Sequence, residues 1–167
     1  MEKERVSKPP LTLMTIVTWQ RLKGELGKAE QSLRKANLEV GEAAGPTHDW
    51  HDNFGYDQAM RDSHMSSLRV KDLREKISSA EFIKPREDIR DIEIGNTVHI
   101  LFEHEDEVEE FTLLGPEDTA TNKNWISFTS PLGSRLIGGK LGELLEYNVN
   151  GREFRVTIAG IFPGRFE

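Results

Sequence analysis

The chain has 167 residues, of which 36% are hydrophobic and 31% charged, and its formal net charge is −7. The composition excludes a membrane-spanning helix and a secretory signal, because no long apolar run is present. The absence of cysteine excludes disulfides and thiolate metal sites, and we expect a cytoplasmic protein. A general binder of duplex DNA is disfavoured, since neutralising phosphates requires clustered Lys and Arg.

The first half of the chain carries two helical patterns. Residues 1–12 are charged and lack periodicity, so we expect a flexible N-terminus, with Thr12 or Thr15 as candidate N-cap of the helix that follows. Apolar residues then recur at steps of four and three, through Leu22, Leu26, Ala29, Leu33, Ala36 and Val40. The same steps recur later, through Tyr56, Ala59, Ser63, Ser66, Val70, Leu73, Ile77 and Ala80. Two matching seams predict an antiparallel coiled-coil hairpin over residues 13–81, with arms on the order of 40 Å long.

The segment between the two seams is rich in acidic and aromatic residues, and we call residues 47–56 the acidic tip. Glycines followed by Pro46 predict the end of the first helix, since Pro cannot continue a helical ladder. The second helix is predicted to begin within residues 49–53. Asp49 and Asp52 therefore have two interpretations: they cap the second helix, or they form a rigidly mounted pair of carboxylates.

The second half of the chain changes to a period of two. Residues 82–91, which include Pro85, have the composition of a linker. Ser130-Pro131 predicts the start of a short helix, and Asn150-Gly151 predicts a β-hairpin turn. Strand-like segments are predicted at 97–102, 111–114, 125–128, 144–149 and 153–158. The fold class is therefore α+β, with a helical hairpin followed, over residues 92–167, by a small antiparallel sheet and one short helix.

The stretch from Asp91 to Asp118 contains many acidic residues and no Lys or Arg. Such a run is typical of a solvated turn and a sheet edge that resists aggregation. A second interpretation is that it faces a basic patch on a partner.

Three groups of residues resemble the bacterial transcript-cleavage factors GreA and GreB, over roughly Leu13 to Ile161. The opening of the first helix matches through Met14, Thr15, Leu22, Glu25 and Leu26. The tip motif of the family matches through Asp49, Asp52, Asn53 and Tyr56. The C-terminal domain of that family, which has an FKBP-like fold, resembles Ser130-Pro131-Leu132 through Gly138 and the hairpin at Asn150-Gly151.

The resemblance implies an accessory factor rather than an enzyme. It implies a protein that binds RNA polymerase, inserts the hairpin into the secondary channel and stimulates cleavage of the backtracked nascent RNA at its 3′ end. We expect a monomer, because nothing in the sequence demands a larger assembly. Asp49 and Asp52 are then the catalytic pair, holding a Mg²⁺ shared with the polymerase active site, which suits hard oxygen ligands. Asn53 and Tyr56 then orient the RNA end or the tip itself.

Two departures from the family pattern lie at the tip. The second acidic residue is Asp52 where the family typically has Glu, and the family's basic residue one turn beyond the tyrosine falls on Met60, with Arg61 one place later. A factor that occupies the secondary channel without promoting cleavage, as an inhibitor or modulator of RNA polymerase, is the alternative function.

Three other interpretations stay open at the level of the sequence. The first is a transition-metal site formed by His48, Asp49, His51 and Asp52. The second is a prolyl isomerase whose apolar pocket is lined by Phe102, Phe111, Trp125 and Phe128. The third is a structural adaptor whose coiled coil binds a partner helix, in which the small residues Ser63 and Ser66 allow close packing.

Overall fold

A computed structural model of the chain describes residues 11–44 and 54–166. The helices are α1 (Ile16–Ala44), α2 (Phe54–Ser78) and α3 (Pro131–Leu136). The strands are β1 (Thr12–Met14), β2 (Ala80–Phe82), β3 (Thr97–Phe102), β4 (Val108–Leu114), β5 (Trp125–Ser127), β6 (Leu144–Val149) and β7 (Arg152–Phe162). Within the described ranges, no helix is long and apolar enough to span a membrane.

Two compact units divide the chain. The hairpin unit comprises Gln20–Ser79, and the sheet unit comprises Leu11–Trp19 together with Ala80–Glu167. The predicted boundaries assigned residues 13–81 to the hairpin, whereas contacts group the start of α1 with the sheet unit. The physical reason is that β1, directly before α1, pairs in parallel with β2, from Thr12 opposite Ala80 to Met14 opposite Phe82.

The hairpin unit is built from α1 and α2. The predicted seams are buried where the two helices meet, at Leu22, Ala36, Ala59, Val70 and Leu73. Polar contacts between the helices run in the antiparallel sense, because Asn37, late in α1, accepts a hydrogen bond of 2.6 Å from Ser63, early in α2. With 29 and 25 residues, the two helices are about 44 Å and 38 Å long at 1.5 Å per residue.

The sheet unit contains a five-stranded sheet of order β5-β4-β3-β7-β6. The pairs β3-β4, β3-β7 and β6-β7 are antiparallel, as predicted, whereas β4 and β5 are parallel. The prediction of an antiparallel sheet therefore needs one correction. A parallel neighbour requires a crossover instead of a tight hairpin, and residues 115–124, which include a 3₁₀ turn at Asp118–Ala120, supply it.

Local signals in the sheet unit act as the sequence predicts. The Ser130 hydroxyl caps α3 by accepting a hydrogen bond from Gly133 N at 3.0 Å, with Pro131 in the first turn. Asn150 and Gly151 connect β6 to β7 with φ of 51° and 82°, the left-handed pair that a type I′ hairpin turn requires. The main core lies between α3 and the sheet and consists of Ile92, Val98, Ile100, Leu113, Leu132, Leu136, Val156, Ile158 and Ile161.

The predicted linker has no regular secondary structure from residue 83 to 91, but it is held on the sheet unit. Asn96, which is fully buried, accepts a hydrogen bond from Glu93 N at 2.8 Å. Its amide nitrogen donates to the carbonyls of Arg86, Asp88 and Phe162 at 3.2, 2.9 and 3.3 Å. One side chain therefore fixes the path of the connecting segment against the end of β7.

Candidate functional site at the hairpin tip

The acidic tip follows the end of α1 at Ala44 in the chain, and its last three residues, 54–56, form the start of α2. Residues 45–53 lie outside the described part of the chain, and with them the predicted pair Asp49 and Asp52 and the predicted orienting residue Asn53. The proposed ligands His48 and His51 of a transition-metal site lie there too. The part of the site that the structure describes is therefore its α2 side.

The first turns of α2 place two aromatic residues differently. Tyr56 is half-buried, three residues before the buried seam position Ala59. Phe54 is 76% exposed, although it is the first residue of the helix and a large apolar one. Because three residues correspond to about one helical turn, Tyr56 lies on the seam side of α2. The Phe54 ring is exposed to solvent and accessible to a partner.

A cation lies close to the tip, on Arg61, one place after the position of the family's basic residue. The Arg61 guanidinium carbon lies 5.9 Å from the ring centroid of Phe54, within the range of a cation–π contact. Its Nη2 donates a hydrogen bond of 3.1 Å to Gln58 Oε1. Both partners precede Arg61 in α2, so its side chain extends back toward the tip. Met60, at the motif position itself, is 45% exposed.

Ion pairs between the helices hold the two arms of the hairpin together. Arg69 Nη2 lies 2.8 Å from Glu25 Oε2, and Arg74 Nη2 lies 2.6 Å from Glu30 Oε1. These pairs are partly exposed, so each contributes at most about 1 kcal/mol. Both pairs link a carboxylate of α1 to an arginine of α2, so they favour contact between the two helices.

The described residues do not form a metal site by themselves. Across 11–44 and 54–166, no group of three or more His, Asp or Glu side chains is arranged to hold an ion. Two aspartates offer the hard oxygen donors that Mg²⁺ prefers but too few of them for a complete protein site. A Mg²⁺ site that uses Asp49 and Asp52 therefore requires further ligands from water or from a partner.

The aromatic residues considered for an isomerase pocket do not converge. Trp125 packs in a small cluster with Ile83, Leu114 and Phe166. Phe102, Phe111 and Phe128 pack instead against the main core. The described geometry therefore favours packing roles over a common pocket.

Comparisons with known proteins match this chain to transcription elongation factors of the GreA type. Residues 87–163 match the family described as "Transcription elongation factor, GreA/GreB, C-term". The chain is 33% identical over 146 residues to the transcription elongation factor GreA of Chlorobium limicola, covering 86% of this chain and 92% of that protein. It is 29% identical over 154 residues to the GreA of Thermosipho melanesiensis, covering 92% and 98%. Among solved structures, it is similar to the GreA factor homolog 1 (Gfh1) of Thermus thermophilus, at 20% identity, coverage of 90% and 98%, and a TM-score of 0.41.

Proposed function

Because the chain belongs to the GreA/GreB family of transcription elongation factors, we propose that it binds RNA polymerase and stimulates the polymerase's own cleavage of backtracked RNA. The hairpin enters the secondary channel, and the acidic tip reaches the RNA 3′ end. The chain acts as an accessory factor, because the polymerase active site performs the hydrolysis.

The observation that carries this proposal is the position of the acidic tip at the connection of a long helical hairpin. Helices of about 44 Å and 38 Å flank residues 45–53, and both are buried against each other along the predicted seam. Ala44 and Phe54, the helix ends that flank the polar segment in the chain, are therefore far from the opposite ends of their own helices. This arrangement fits a factor that acts inside a narrow channel of a larger enzyme.

Two carboxylates are the chemical contribution of this chain. Asp49 and Asp52 provide oxygen ligands, and the polymerase active site provides the others. These groups would hold a Mg²⁺ together, and the ion would supply charge stabilisation and an activated water for phosphodiester hydrolysis. Asn53 and Tyr56 orient the RNA end or the tip, and we add Arg61 as the cation on the α2 side that faces the negatively charged RNA.

A second candidate function has its own support. At the motif position one turn beyond Tyr56, the structure exposes Met60, an apolar side chain that cannot pair with phosphate. The second acidic residue, Asp52, is also one methylene shorter than the family's typical Glu. Both features favour a factor that occupies the channel and modulates elongation without promoting cleavage.

The deciding experiment is RNA shortening in stalled, backtracked elongation complexes with Mg²⁺ present. We expect the native chain to accelerate shortening and the double variant Asp49→Ala, Asp52→Ala to lose that acceleration while still competing with the native chain for polymerase. The matched control is Asp57→Ala, Asp62→Ala, which removes two exposed carboxylates of α2 beyond the tip. This control variant should accelerate shortening as the native chain does.

Two other results would change the conclusion. Slower nucleotide addition without any shortening would establish the inhibitor in place of the cleavage factor. Equal activity of the tip variant and the native chain would remove the two aspartates from the mechanism.

A further inference from the structure

The first turn of α1 is built into the sheet unit. Thr15 is its N-cap, because Thr15 Oγ1 accepts a hydrogen bond from Thr18 N at 3.2 Å. Directly before it, Met14 O accepts a hydrogen bond of 2.9 Å from Ile83 N, the residue after β2. Four residues after Thr15, the Trp19 ring contacts Phe82 edge to face at 5.8 Å between centroids. The first turn of α1 therefore belongs to the sheet unit, although the rest of α1 is an arm of the hairpin.

A buried carboxylate fastens this turn. Asp118 is 0% exposed. Its Oδ1 accepts hydrogen bonds from Thr15 N at 3.0 Å and Thr15 Oγ1 at 2.7 Å, and its Oδ2 accepts one from Gly115 N at 3.0 Å. Asp118 and Thr15 are 103 positions apart in the chain. The Thr15 hydroxyl thus donates to Asp118 while it accepts from Thr18, so one hydroxyl joins the cap to the carboxylate.

The arrangement exceeds what a helix cap needs. Thr15 alone satisfies a free amide of the first turn. Burying the Asp118 carboxylate costs free energy, because its three hydrogen-bond donors are neutral and an exposed carboxylate would keep its water. The backbone is also tightly packed beside Asp118, since a Cβ added to Gly115 would lie 1.9 Å from Leu13 O. Buried, fully bonded polar groups of this kind hold one geometry in place of several.

We propose that Asp118 is a positioning residue for the acidic tip, acting through Thr15 and the first turn of α1; this role rests on the proposed function. A group that acts at the far end of a long helix depends on how firmly the beginning of that helix is held. Small displacements of reacting groups reduce rates strongly, because about 1 Å of misplacement can cost about a hundredfold. Loosening the Asp118 contact should therefore lower cleavage more than it lowers binding.

The test compares variants that differ by single polar atoms. Thr15→Val removes the hydroxyl at nearly constant volume, and Thr15→Ser keeps it. Asp118→Asn keeps the acceptor for Thr15 but places an NH₂ group against Gly115 N–H. Thr119→Val is the control, because its exposed hydroxyl donates only to the local carbonyl of Pro116 at 3.0 Å.

We expect Thr15→Val and Asp118→Asn to lower the shortening rate at saturating factor by about tenfold or more. The half-saturating concentration should change by less than about threefold, since the surfaces that bind are intact. Hydrogen exchange at the Thr18 and Trp19 amides of the chain alone should accelerate in the same two variants. Thr15→Ser and Thr119→Val should behave like the native chain.

The outcomes separate this proposal from the proposed function. If the native chain shortens no RNA, the cleavage function and the positioning role fail together. If Thr15→Val and Asp118→Asn melt at lower temperature but give the native shortening rate at saturation, Asp118 is only a stabilising residue and the positioning role is refuted. If Asp118→Asn does not fold, the comparison of Thr15→Val with Thr15→Ser decides the question by the same readouts.

Discussion

Asn96→Ala is the substitution that most directly tests how the connecting segment is held. The side chain is fully buried and contacts four backbone groups: Glu93 N and the carbonyls of Arg86, Asp88 and Phe162. Its NH₂ group has two hydrogens for three carbonyls, so about three full hydrogen bonds are lost. At about 1 kcal/mol each, we expect the free energy of unfolding of the sheet unit to fall by about 3 kcal/mol.

Asn96→Asp tests the hydrogen bonds more sharply than Asn96→Ala, because the Asp side chain has nearly the same shape as Asn. The second oxygen would face three carbonyl oxygens, so this variant should be less stable than Asn96→Ala at neutral pH despite its better fit. Protonation of the new carboxyl restores a donor. Part of the loss should therefore be recovered as the pH is lowered toward 4, the usual range of an Asp pKa.

Urea unfolding followed by tryptophan fluorescence measures both effects, since Trp125 is buried in the sheet unit. Asn122→Ala is the control, because Asn122 is exposed and accepts one local hydrogen bond of 2.9 Å from Asn124 N. It should cost less than about 1 kcal/mol. A loss below about 1 kcal/mol for Asn96→Ala, or an Asp variant more stable than the Ala variant at neutral pH, would refute the reasoning.

Two further predictions concern local conformation and pH. Gly24→Ala and Gly27→Ala should each stabilise the hairpin by about 1 kcal/mol in thermal unfolding followed by circular dichroism, because helix interiors disfavour Gly and a Cβ meets open space at both positions; a loss of stability would contradict this. Hydrogen bonds from the side chain and backbone of Arg90 lower the pKa of Asp88 from 3.8 to about 2. Because the folded pKa lies below the unfolded one, this stabilisation is present above pH 3.8 and is lost as the pH falls toward about 2. Asp88→Asn should flatten the dependence of the urea midpoint over that window, and an unchanged slope would contradict the assignment.

Patterns that local chemistry controls were readable in the sequence. The apolar steps of three and four place Leu22, Val70 and Leu73 in the buried seam, as predicted. Ser130-Pro131 starts α3, and Asn150-Gly151 turns the chain between β6 and β7. Each signal depends on residues within about one or two turns of chain, so the side-chain chemistry alone suffices to specify it.

Contacts between distant parts of the chain were decided by tertiary structure. The parallel pair β1-β2, the parallel strand β5 and the contact of Asp118 with Thr15 join segments that no local pattern relates. In the sequence, Asp118 was one acidic residue in a run interpreted as a solvated turn. Only packing distinguishes it from its exposed neighbours, because burial and the donors around a carboxylate come from elements far away in the chain.

The acidic tip illustrates both sides of this division. Its residue types follow from the sequence, and the carboxylates Asp49 and Asp52 stay a prediction for the polymerase complex. The tertiary structure adds that Tyr56 lies half-buried on the seam side of α2, and that Arg61 turns back over the exposed ring of Phe54. Spacing indicates which side chains share a helix face, but the direction in which a long side chain extends depends on the neighbours it contacts in the folded protein.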